Sequence, residues 1–238
     1  MTNIDTLYRG ARELNIELKE ENLDRFLKYK EMLKEWNEKI NITTITDDIE
    51  IDQKHFLDSL TPFSTKLFEG KKKIIDIGTG GGFPGVPLKI VNNDLEVDLL
   101  DSLNKRIIFL NEVIASLGLE KISAIHGRAE EFSIKPIYRE KYDICISRAV
   151  ASLNTLSEYC LPFVKVGGHF ISMKGPDVDE ELNNSKNAIK LLGGRLVEAK
   201  KVNIPESNIT HSLIIIEKIM ETPTKYPRGG GKPRKNPL

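Results

Sequence analysis

The spacing of apolar residues divides the chain into an N-terminal helical part and a longer part of short alternating elements. Apolar side chains recur at helical spacing along residues 4–14 and again along residues 23–40. Asp47 followed by Glu50 has the form of a capping box and predicts a third helix immediately after it. The pattern therefore predicts a helical cap over residues 1–61.

Beyond Lys72 the rhythm changes, because short apolar runs alternate with amphipathic stretches. This alternation predicts βαβ units and a doubly wound, mostly parallel sheet. Two further apolar runs, 194–204 and 211–219, flank a Pro-Glu-Ser-Asn turn and predict a closing β-hairpin. The predicted strands are 72–77, 96–101, 121–127, 142–147 and 168–174, and the predicted helices are about 85–92, 104–117, 152–165 and 177–192.

The order of these elements indicates the fold class. A dinucleotide-binding dehydrogenase has two βαβαβ halves, whereas this pattern has a βα alternation that ends in a hairpin. The arrangement is typical of a Rossmann-like α/β domain of the class I S-adenosylmethionine-dependent methyltransferases. We expect this domain to occupy residues 62–220, between the helical cap and a basic tail, rich in proline and glycine, at 221–238.

Composition agrees with an ordinary soluble protein, since 39% of the 238 residues are hydrophobic and 29% are charged. The sequence shows neither the apolar core of a signal peptide nor an apolar run approaching the roughly 20 residues that cross a bilayer. The two cysteines and four scattered histidines have no metal-ligand spacing. We therefore expect a cytoplasmic protein that has no membrane segment and binds no metal.

Charge is unevenly distributed, although the net charge is zero. The last fourteen residues carry five basic side chains and no acid, so the rest of the chain has a net charge of −5. A basic tail on a mildly acidic body favours contact with a polyanion. A solvated, disordered tail explains the same composition, and the pattern alone leaves both interpretations open.

The stretch DIGTGGGFPG follows the first predicted strand and contains five glycines. Its later part matches G-x-G-x-x-G, but that match begins late after the strand and contains Pro84, which has no amide for a pyrophosphate. Counted from Asp76, the stretch has the acid-x-Gly-x-Gly-x-Gly form of a methyltransferase loop. Gly78 and Gly80 would let the backbone turn beside the methionine part of the cofactor. Asp76 is predicted to bond loop amides or, through water, the cofactor ammonium group, and Phe83 is predicted to wall the pocket.

The ends of the next two strands carry further candidates. Asp101 closes the second strand, where an acid commonly binds both ribose hydroxyls in NAD enzymes as well as in methyltransferases. Ser102 and Leu103 border the same rim. Glu130 follows the third strand and is predicted to lie near the adenine amino group. An acid stabilised at a helix N-terminus is the other interpretation of Glu130.

The fourth strand ends in Ser-Arg-Ala-Val, residues 147–150, at the edge where class I methyltransferases react. This edge lacks the Asn/Asp-Pro-Pro-Tyr/Phe motif that holds an exocyclic amine. Cys145 is predicted within a strand and Cys160 in or near a helix, so neither resembles the nucleophile of an enzyme that attacks pyrimidine C5. The remaining targets carry an accessible lone pair: a purine ring nitrogen, a hydroxyl or a carboxylate.

Several segments, in order along nearly the whole chain, together resemble the glucose-inhibited division protein B family. They are NEKINITTITDDIEIDQKHFLDSL, DIGTGGGFPGVPL, LLDSLNKRIIFLNEV, GRAEEF, SRAVASL, MKG and YPRGGGKPRKNPL. The resemblance implies a bacterial methyltransferase that uses S-adenosyl-L-methionine to methylate N7 of a guanine in the 530 loop of 16S ribosomal RNA. Its partner would be 16S rRNA, an assembly intermediate or the 30S subunit. The cofactor contacts that the resemblance implies are Gly78, Phe83, Asp101, Ser102, Leu103, Ala129, Glu130 and Arg148.

Guanine N7 carries a lone pair and no proton, so the implied reaction needs no general base and depends on positioning an in-line displacement. Arg128, Arg148 and Lys174, at strand ends, are predicted to act in catalysis by holding RNA phosphates or the guanine O6 edge; ordinary surface charge is the alternative. His55 is predicted to help shape the RNA site, or else to be a core residue. The tail side chains predicted to contact RNA phosphates are Arg228, Lys232, Arg234 and Lys235.

Two other classes of function stay open at this point. One is an NAD-linked oxidoreductase that uses the glycine loop, and the other is a non-catalytic RNA-binding factor with a methyltransferase fold. Binding of S-adenosylmethionine rather than NAD separates the first from a methyltransferase, and methyl transfer from a labelled cofactor separates the second. A monomer is favoured.

Overall fold

The computed structural model describes residues 5–148 and 150–238, and a mixed sheet of seven strands runs through this part of the chain. Residues 1–4, where the first predicted helix begins, and Ala149 of the predicted reacting edge lie outside the described residues. The strands are β1 Lys73–Ile77, β2 Glu96–Asp101, β3 Ile122–His126, β4 Tyr142–Arg148, β5 Val164–Lys174, β6 Gly194–Asn203 and β7 Thr210–Lys218. Their order across the sheet is β3-β2-β1-β4-β5-β7-β6.

The first five strands pair in parallel, and β7 is antiparallel to both β5 and β6. This pairing confirms the predicted parallel sheet and its closing hairpin. The helices are α1 Asp5–Glu13, α2 Glu20–Ile40, α3 Asp48–Ile51, α4 Asp58–Leu60, α5 Gly85–Val91, α6 Asn104–Ser116, α7 Ala129–Phe132, α8 Leu153–Cys160, α9 Asp179–Leu191 and α10 Lys232–Lys235.

The predicted helix over residues 152–165 was too long. Helix α8 ends at Cys160, a single 3₁₀ turn covers Leu161–Phe163, and β5 begins at Val164, four residues before its predicted start. Pro162 explains the break, since proline has no N–H to continue the helical hydrogen bonds and its ring clashes with the preceding turn.

The third N-terminal helix begins as predicted but changes its hydrogen bonding along its length. The Asp47 carboxylate accepts hydrogen bonds from the amides of Ile49 and Glu50, which confirms the cap. The Glu50 side chain pairs with Lys54 at 2.6 Å. A π-helical turn over Asp52–Leu57 then joins α3 to α4. Such turns frequently mark functional sites, and this one carries His55.

The helical cap and the sheet share one core. Tyr29 of α2 is fully buried and stacks on Phe83, at 5.5 Å between ring centroids, and on Phe56 at 5.4 Å. The apolar cluster that contains these rings also contains Ile74 of β1 and Ile144 of β4. The predicted boundary after residue 61 is therefore not a packing boundary.

The tail is folded against the sheet domain. Helix α10 packs on α8, Pro233 is buried, and its carbonyl accepts a hydrogen bond of 3.1 Å from the Thr155 hydroxyl. Among the described helices, none has the length and apolar character needed to cross a membrane. The described residues also contain no cluster of three or more His, Cys, Asp or Glu side chains that could hold a metal ion.

Candidate active site

A cavity of about 350 Å³ lies at the carboxyl ends of the parallel strands. This is the edge at which open α/β sheets bind ligands, and the volume falls in the range of small-molecule sites. The loops after β1, β2, β3 and β4 all contribute to it. The residues that line it are Ile77, Gly78, Leu100, Asp101, Ser102, Gly127, Arg128, Ala129, Glu130, Val150, Tyr159, Gly231, Arg234 and Lys235.

The loop after β1 takes a shape that demands glycine. Gly78 and Gly80 have φ angles of +69° and +61°, in the left-handed region. The amide of Gly78 donates to the Leu100 carbonyl at 2.8 Å, which ties the loop to the end of β2. A Cβ on Gly78 would lie 2.6 Å from a methyl group of Val150. Any side chain at Gly78 would therefore collide with the wall of the cavity.

Asp76 holds the loop from below and does not line the cavity. It is fully buried, and its Oδ2 accepts hydrogen bonds from the Thr79 hydroxyl at 2.7 Å and from the Gly85 amide at 2.9 Å. Its other oxygen, Oδ1, has no hydrogen-bond partner among the described residues. Burial raises the pKa of Asp76 to about 6, despite the two hydrogen bonds. The predicted bond to a loop amide is present, and a contact through water to the cofactor stays a prediction.

Asp101 lies at the meeting point of two loops and the cavity. Its Oδ2 accepts from the Gly80 amide at 2.9 Å and pairs with Arg106 at 3.2 Å, and its Oδ1 accepts from the Leu103 amide at 2.9 Å. The side chain is only 3% exposed. A carboxylate oxygen accepts two hydrogen bonds, so Oδ1 of this cavity-lining residue retains acceptor capacity. The carboxylate is thus fixed in place before any ligand arrives.

The far end of the cavity combines an acid with a base. Glu130 is buried, and its Oε1 lies 3.8 Å from Nη1 of Arg128. The Arg128 side chain is 63% exposed. Ala129 and Ser102 also line the cavity, whereas Leu103 is exposed and lies outside the lining.

Arg148, at the end of β4, points away from the cavity and toward the helical cap. Its Nη1 donates to the Asp58 carboxylate at 2.7 Å and to the Lys54 carbonyl at 3.0 Å. Its guanidinium carbon lies 5.2 Å from the centroid of the Phe83 ring. Phe83 is buried in the core beneath it and does not line the cavity. The cofactor contacts predicted for Arg148 and Phe83 therefore find no support in the shape of the cavity and stay predictions.

His55 completes this group as a neutral ring. It stacks on Phe83, with centroids 4.5 Å apart and planes 10° from parallel. Its Nε2 lies 2.8 Å from the Thr43 hydroxyl. Burial, and next the charge of Arg148, lowers the pKa of His55 to about 3. Of the two interpretations of His55, the buried position favours the core residue over direct contact with RNA.

Asp58 connects the helical cap to strands β4 and β7 of the sheet. Its Oδ2 binds Arg148, and its Oδ1 lies 2.9 Å from Nδ1 of His211 in β7. Burial opposes ionisation of this carboxyl, but the hydrogen bonds and charges of His211 and Arg148 outweigh it and lower the pKa of Asp58. Sequence reasoning missed Asp58, although it lies three residues after His55 and so on the same side of a helical segment.

Two predicted RNA contacts are instead paired inside the protein. Lys174 donates to Glu181 at 2.8 Å, and its side chain is 12% exposed. Arg228 binds the carboxylate of Glu158, with Nη2 at 2.6 Å from Oε2 and Nε at 2.9 Å from Oε1. These contacts favour a structural role for both side chains over the predicted contacts with RNA.

The remaining tail cations are exposed, but they differ in position. Arg234 and Lys235 line the cavity, whereas Lys232 lies outside the lining. Tyr159 of α8 lines the cavity beside them and was also missed from the sequence. No local pattern signals that a tail returns to the sheet edge, since its anchor on Glu158 lies 70 positions away.

Comparison with known proteins agrees with this geometry. A family model described as rRNA small subunit methyltransferase G matches residues 22–210. Ribosomal RNA small subunit methyltransferase G of Alkaliphilus metalliredigens (strain QYMF) is 53% identical over 96% of both chains. The protein of the same name from Clostridium tetani (strain Massachusetts / E88) is 50% identical over 100% of both chains.

Solved structures resemble the fold at low sequence identity. M. jannaschii TYW2 in complex with AdoMet superposes with a TM-score of 0.53 and 14% identity, over 68% of this chain and 77% of that chain. A mutant of MtNAS superposes with a TM-score of 0.55 and 16% identity, over 84% of this chain and 76% of that chain. These similarities confirm the predicted α/β architecture.

Proposed function

Since the chain belongs to the rRNA small subunit methyltransferase G family, we propose that it methylates N7 of a guanine in the 530 loop of 16S ribosomal RNA. The methyl donor is S-adenosylmethionine, and the enzyme is a methyltransferase of the Rossmann-like class. The cavity that joins Gly78, Asp101 and Glu130 at one sheet edge is the structural observation that carries the proposal. The family match carries the choice of RNA over other methyl acceptors.

The residues of the cavity fit a nucleoside-containing cofactor. Asp101 retains one free acceptor position on its Oδ1, which suits a ribose hydroxyl. Buried Glu130 offers a second acceptor for an exocyclic amine. Gly78 keeps the backbone bare where the chain passes the cavity. When bound, S-adenosylmethionine supplies an electrophilic methyl group on its sulfonium sulfur.

The side chains at the reacting edge support a reaction without a general base. His55, with a pKa of about 3, is a weak base, and its Nε2 already meets the Thr43 hydroxyl. The Asp58 carboxylate is engaged by Arg148 and His211. A guanine N7 has no proton to remove, so a site of this kind acts by orienting the reactants. Orientation can lower the activation barrier by about 7–11 kcal/mol.

The exposed cations around the cavity are the candidates for RNA contact. Arg128, Arg234 and Lys235 line it with exposed side chains, and Lys232 lies on α10 with the last two but outside the lining. Each phosphate contact made in this way would steepen the dependence of binding on salt. Arg128→Ala is therefore expected to lower RNA affinity for all sequences and to reduce the salt slope by about one.

The proposal is tested by methyl transfer from a labelled cofactor to small subunits that lack the modification. We expect one methyl group per subunit, which chemical strand scission specific for N7-methylguanine locates in the 530 loop. A methyl group on another atom or in another region refutes the finer assignment. Calorimetry with NAD in place of S-adenosylmethionine is the control, and binding of NAD alone would identify an oxidoreductase.

A further inference from the structure

The folded tail reaches the same cavity as the candidate cofactor residues. Gly231, Arg234 and Lys235 line it together with Asp101 and Glu130, although the two groups are more than 100 residues apart in sequence. Helix α10, which carries the two basic residues, packs on α8 and buries its Pro233. The cavity is therefore closed on one side by the tail and not by the sheet loops alone.

A buried ion pair holds the tail in this position. Glu158 of α8 has no exposed surface, and both of its oxygens bind Arg228 through the guanidinium nitrogens. The same carboxylate accepts the backbone amide of Arg228 at 2.7 Å. Nη2 of Arg228 also donates to the Asn236 carbonyl at 2.9 Å, which clasps the far end of α10. A fork of this kind fixes direction as well as distance.

We propose that Gly231, Arg234 and Lys235 form the outer wall of the cofactor site and that Glu158 and Arg228 are its positioning residues. The identity of the ligand rests on the proposed function. The wall belongs to the end of the cavity that carries Glu130, because α8, on which α10 packs, also contacts α7, and α7 contains Glu130. Arg234 and Lys235 thus serve the cofactor as well as, or instead of, the RNA.

The basic side chains of the wall indicate which part of the cofactor lies beside them. A sulfonium cation would be repelled by nearby arginine and lysine side chains, so the basic wall suits the uncharged adenine rather than the reacting sulfur. A guanidinium is flat and stacks on aromatic faces, which an ammonium does not do. Tyr159 adds an aromatic surface to the same wall.

Calorimetric titration with S-adenosylmethionine, in the absence of RNA, tests the wall directly. We expect Arg234→Ala and Arg228→Ala each to weaken binding about tenfold, and Arg234→Lys to weaken it nearly as much as Arg234→Ala. Lys232→Ala is the matched control, since Lys232 is an exposed cation of the same helix outside the lining. It is expected to bind with wild-type affinity.

Trypsin provides a readout that a purely structural role would not change. The bonds after Arg234 and Lys235 are expected to be cleaved more slowly when the wild-type chain is saturated with S-adenosylmethionine. Lys232 precedes proline and offers no competing cleavage. In Arg228→Ala we expect fast cleavage that the cofactor no longer slows. Mass spectrometry of the shortened C-terminus measures both rates.

The outcomes separate this inference from the proposed function. A wild-type chain that does not bind S-adenosylmethionine refutes the proposed function and the wall with it. Normal wild-type binding, with unchanged affinity in Arg234→Ala and unchanged protection from trypsin, refutes the wall alone. Variants that lose only RNA affinity also refute it. Because Arg234 is exposed, its variants remain informative if Arg228→Ala fails to fold.

Discussion

The guanidinium of Arg148 and the carboxylate of Asp58 lie 2.7 Å apart, across the seam between the sheet edge and the helical cap. The Asp58 side chain is 1% exposed, and the Arg148 side chain 14%. The same carboxylate reaches His211 in β7, so one buried acid joins three parts of the fold. The position of Arg148 at the reacting edge therefore depends on a residue of the cap.

Removal of the buried acid should separate the cap from the reacting edge. We expect Asp58→Ala to lower the free energy of unfolding by about 3–5 kcal/mol, since it leaves the Arg148 charge without its partner in a mostly buried position. Urea denaturation measures the change. Glu35→Ala, which breaks an exposed pair with Lys39, is the control and should cost less than about 1 kcal/mol. Equal effects in the two variants would contradict the proposed importance of the buried pair.

His55 should stay neutral in the folded protein across the working pH range. Its folded pKa of about 3 lies below the ordinary histidine value of 6.5, so the unfolded chain binds the extra proton and stability falls as pH drops below about 6.5. When pH falls from 7 to 5, the free energy of unfolding of the wild type should decrease by about 2 kcal/mol more than that of His55→Gln. Nuclear magnetic resonance of the imidazole gives an independent check, and a midpoint near 6.5 would be incompatible with the buried neutral ring.

Asp76 should have the opposite effect on stability. Its folded pKa of about 6 exceeds the ordinary aspartate value of 3.8, so the wild type loses stability as pH rises between these values. We expect the free energy of unfolding of Asp76→Asn to increase by about 2 kcal/mol relative to that of the wild type as pH rises from 4 to 8. Denaturation at a series of pH values measures the gain.

Asp143→Asn is the matched control for Asp76→Asn. Burial opposes ionisation of Asp143, but the hydrogen bonds from Lys165 and the Lys73 amide outweigh it and lower its pKa. The wild-type Asp143 carboxylate therefore loses its stabilising effect as pH falls. As pH rises, the free energy of unfolding of the variant should fall relative to that of the wild type. The same trend in both variants would show that the burial of Asp76 does not control its ionisation.

The conformation of Gly78 should matter to the cofactor beyond its cost in stability. Gly78→Ala and Gly118→Ala both place a Cβ at a positive φ, which costs roughly 1–2 kcal/mol. Only at Gly78 does the Cβ also meet a neighbour, since none lies within 4 Å at Gly118. We therefore expect both to lower the melting temperature but only Gly78→Ala to abolish calorimetric binding of S-adenosylmethionine. Loss of binding in Gly118→Ala would point to a general effect on folding.

Local patterns predicted the elements better than the contacts between them. The alternation of apolar residues indicated the strands and the closing hairpin, because a few neighbouring residues are enough to identify a buried strand. The glycine loop could also be predicted from the sequence, since only glycine takes its φ angles without strain. The pairs Arg148–Asp58 and Arg228–Glu158 join positions 90 and 70 residues apart, and no short segment encodes them. The predicted roles of Arg148, Lys174 and Arg228 rested on charge, on position at a strand end or in the tail, and for Arg148 also on the family resemblance. None of these reveals a partner.

Tyr29 gives the glycine loop a support that lies outside the sheet domain. Its hydroxyl donates to the Gly81 carbonyl, and a Cβ on Gly82 would lie 2.6 Å from the same hydroxyl oxygen. The loop is thus clamped between β1 and a helix that begins more than fifty positions earlier in the chain. Trimming the protein to residues 62–220 would remove half of this clamp. The smallest unit that can preserve the loop includes α2, and a single cut within that helix should register at the cofactor site.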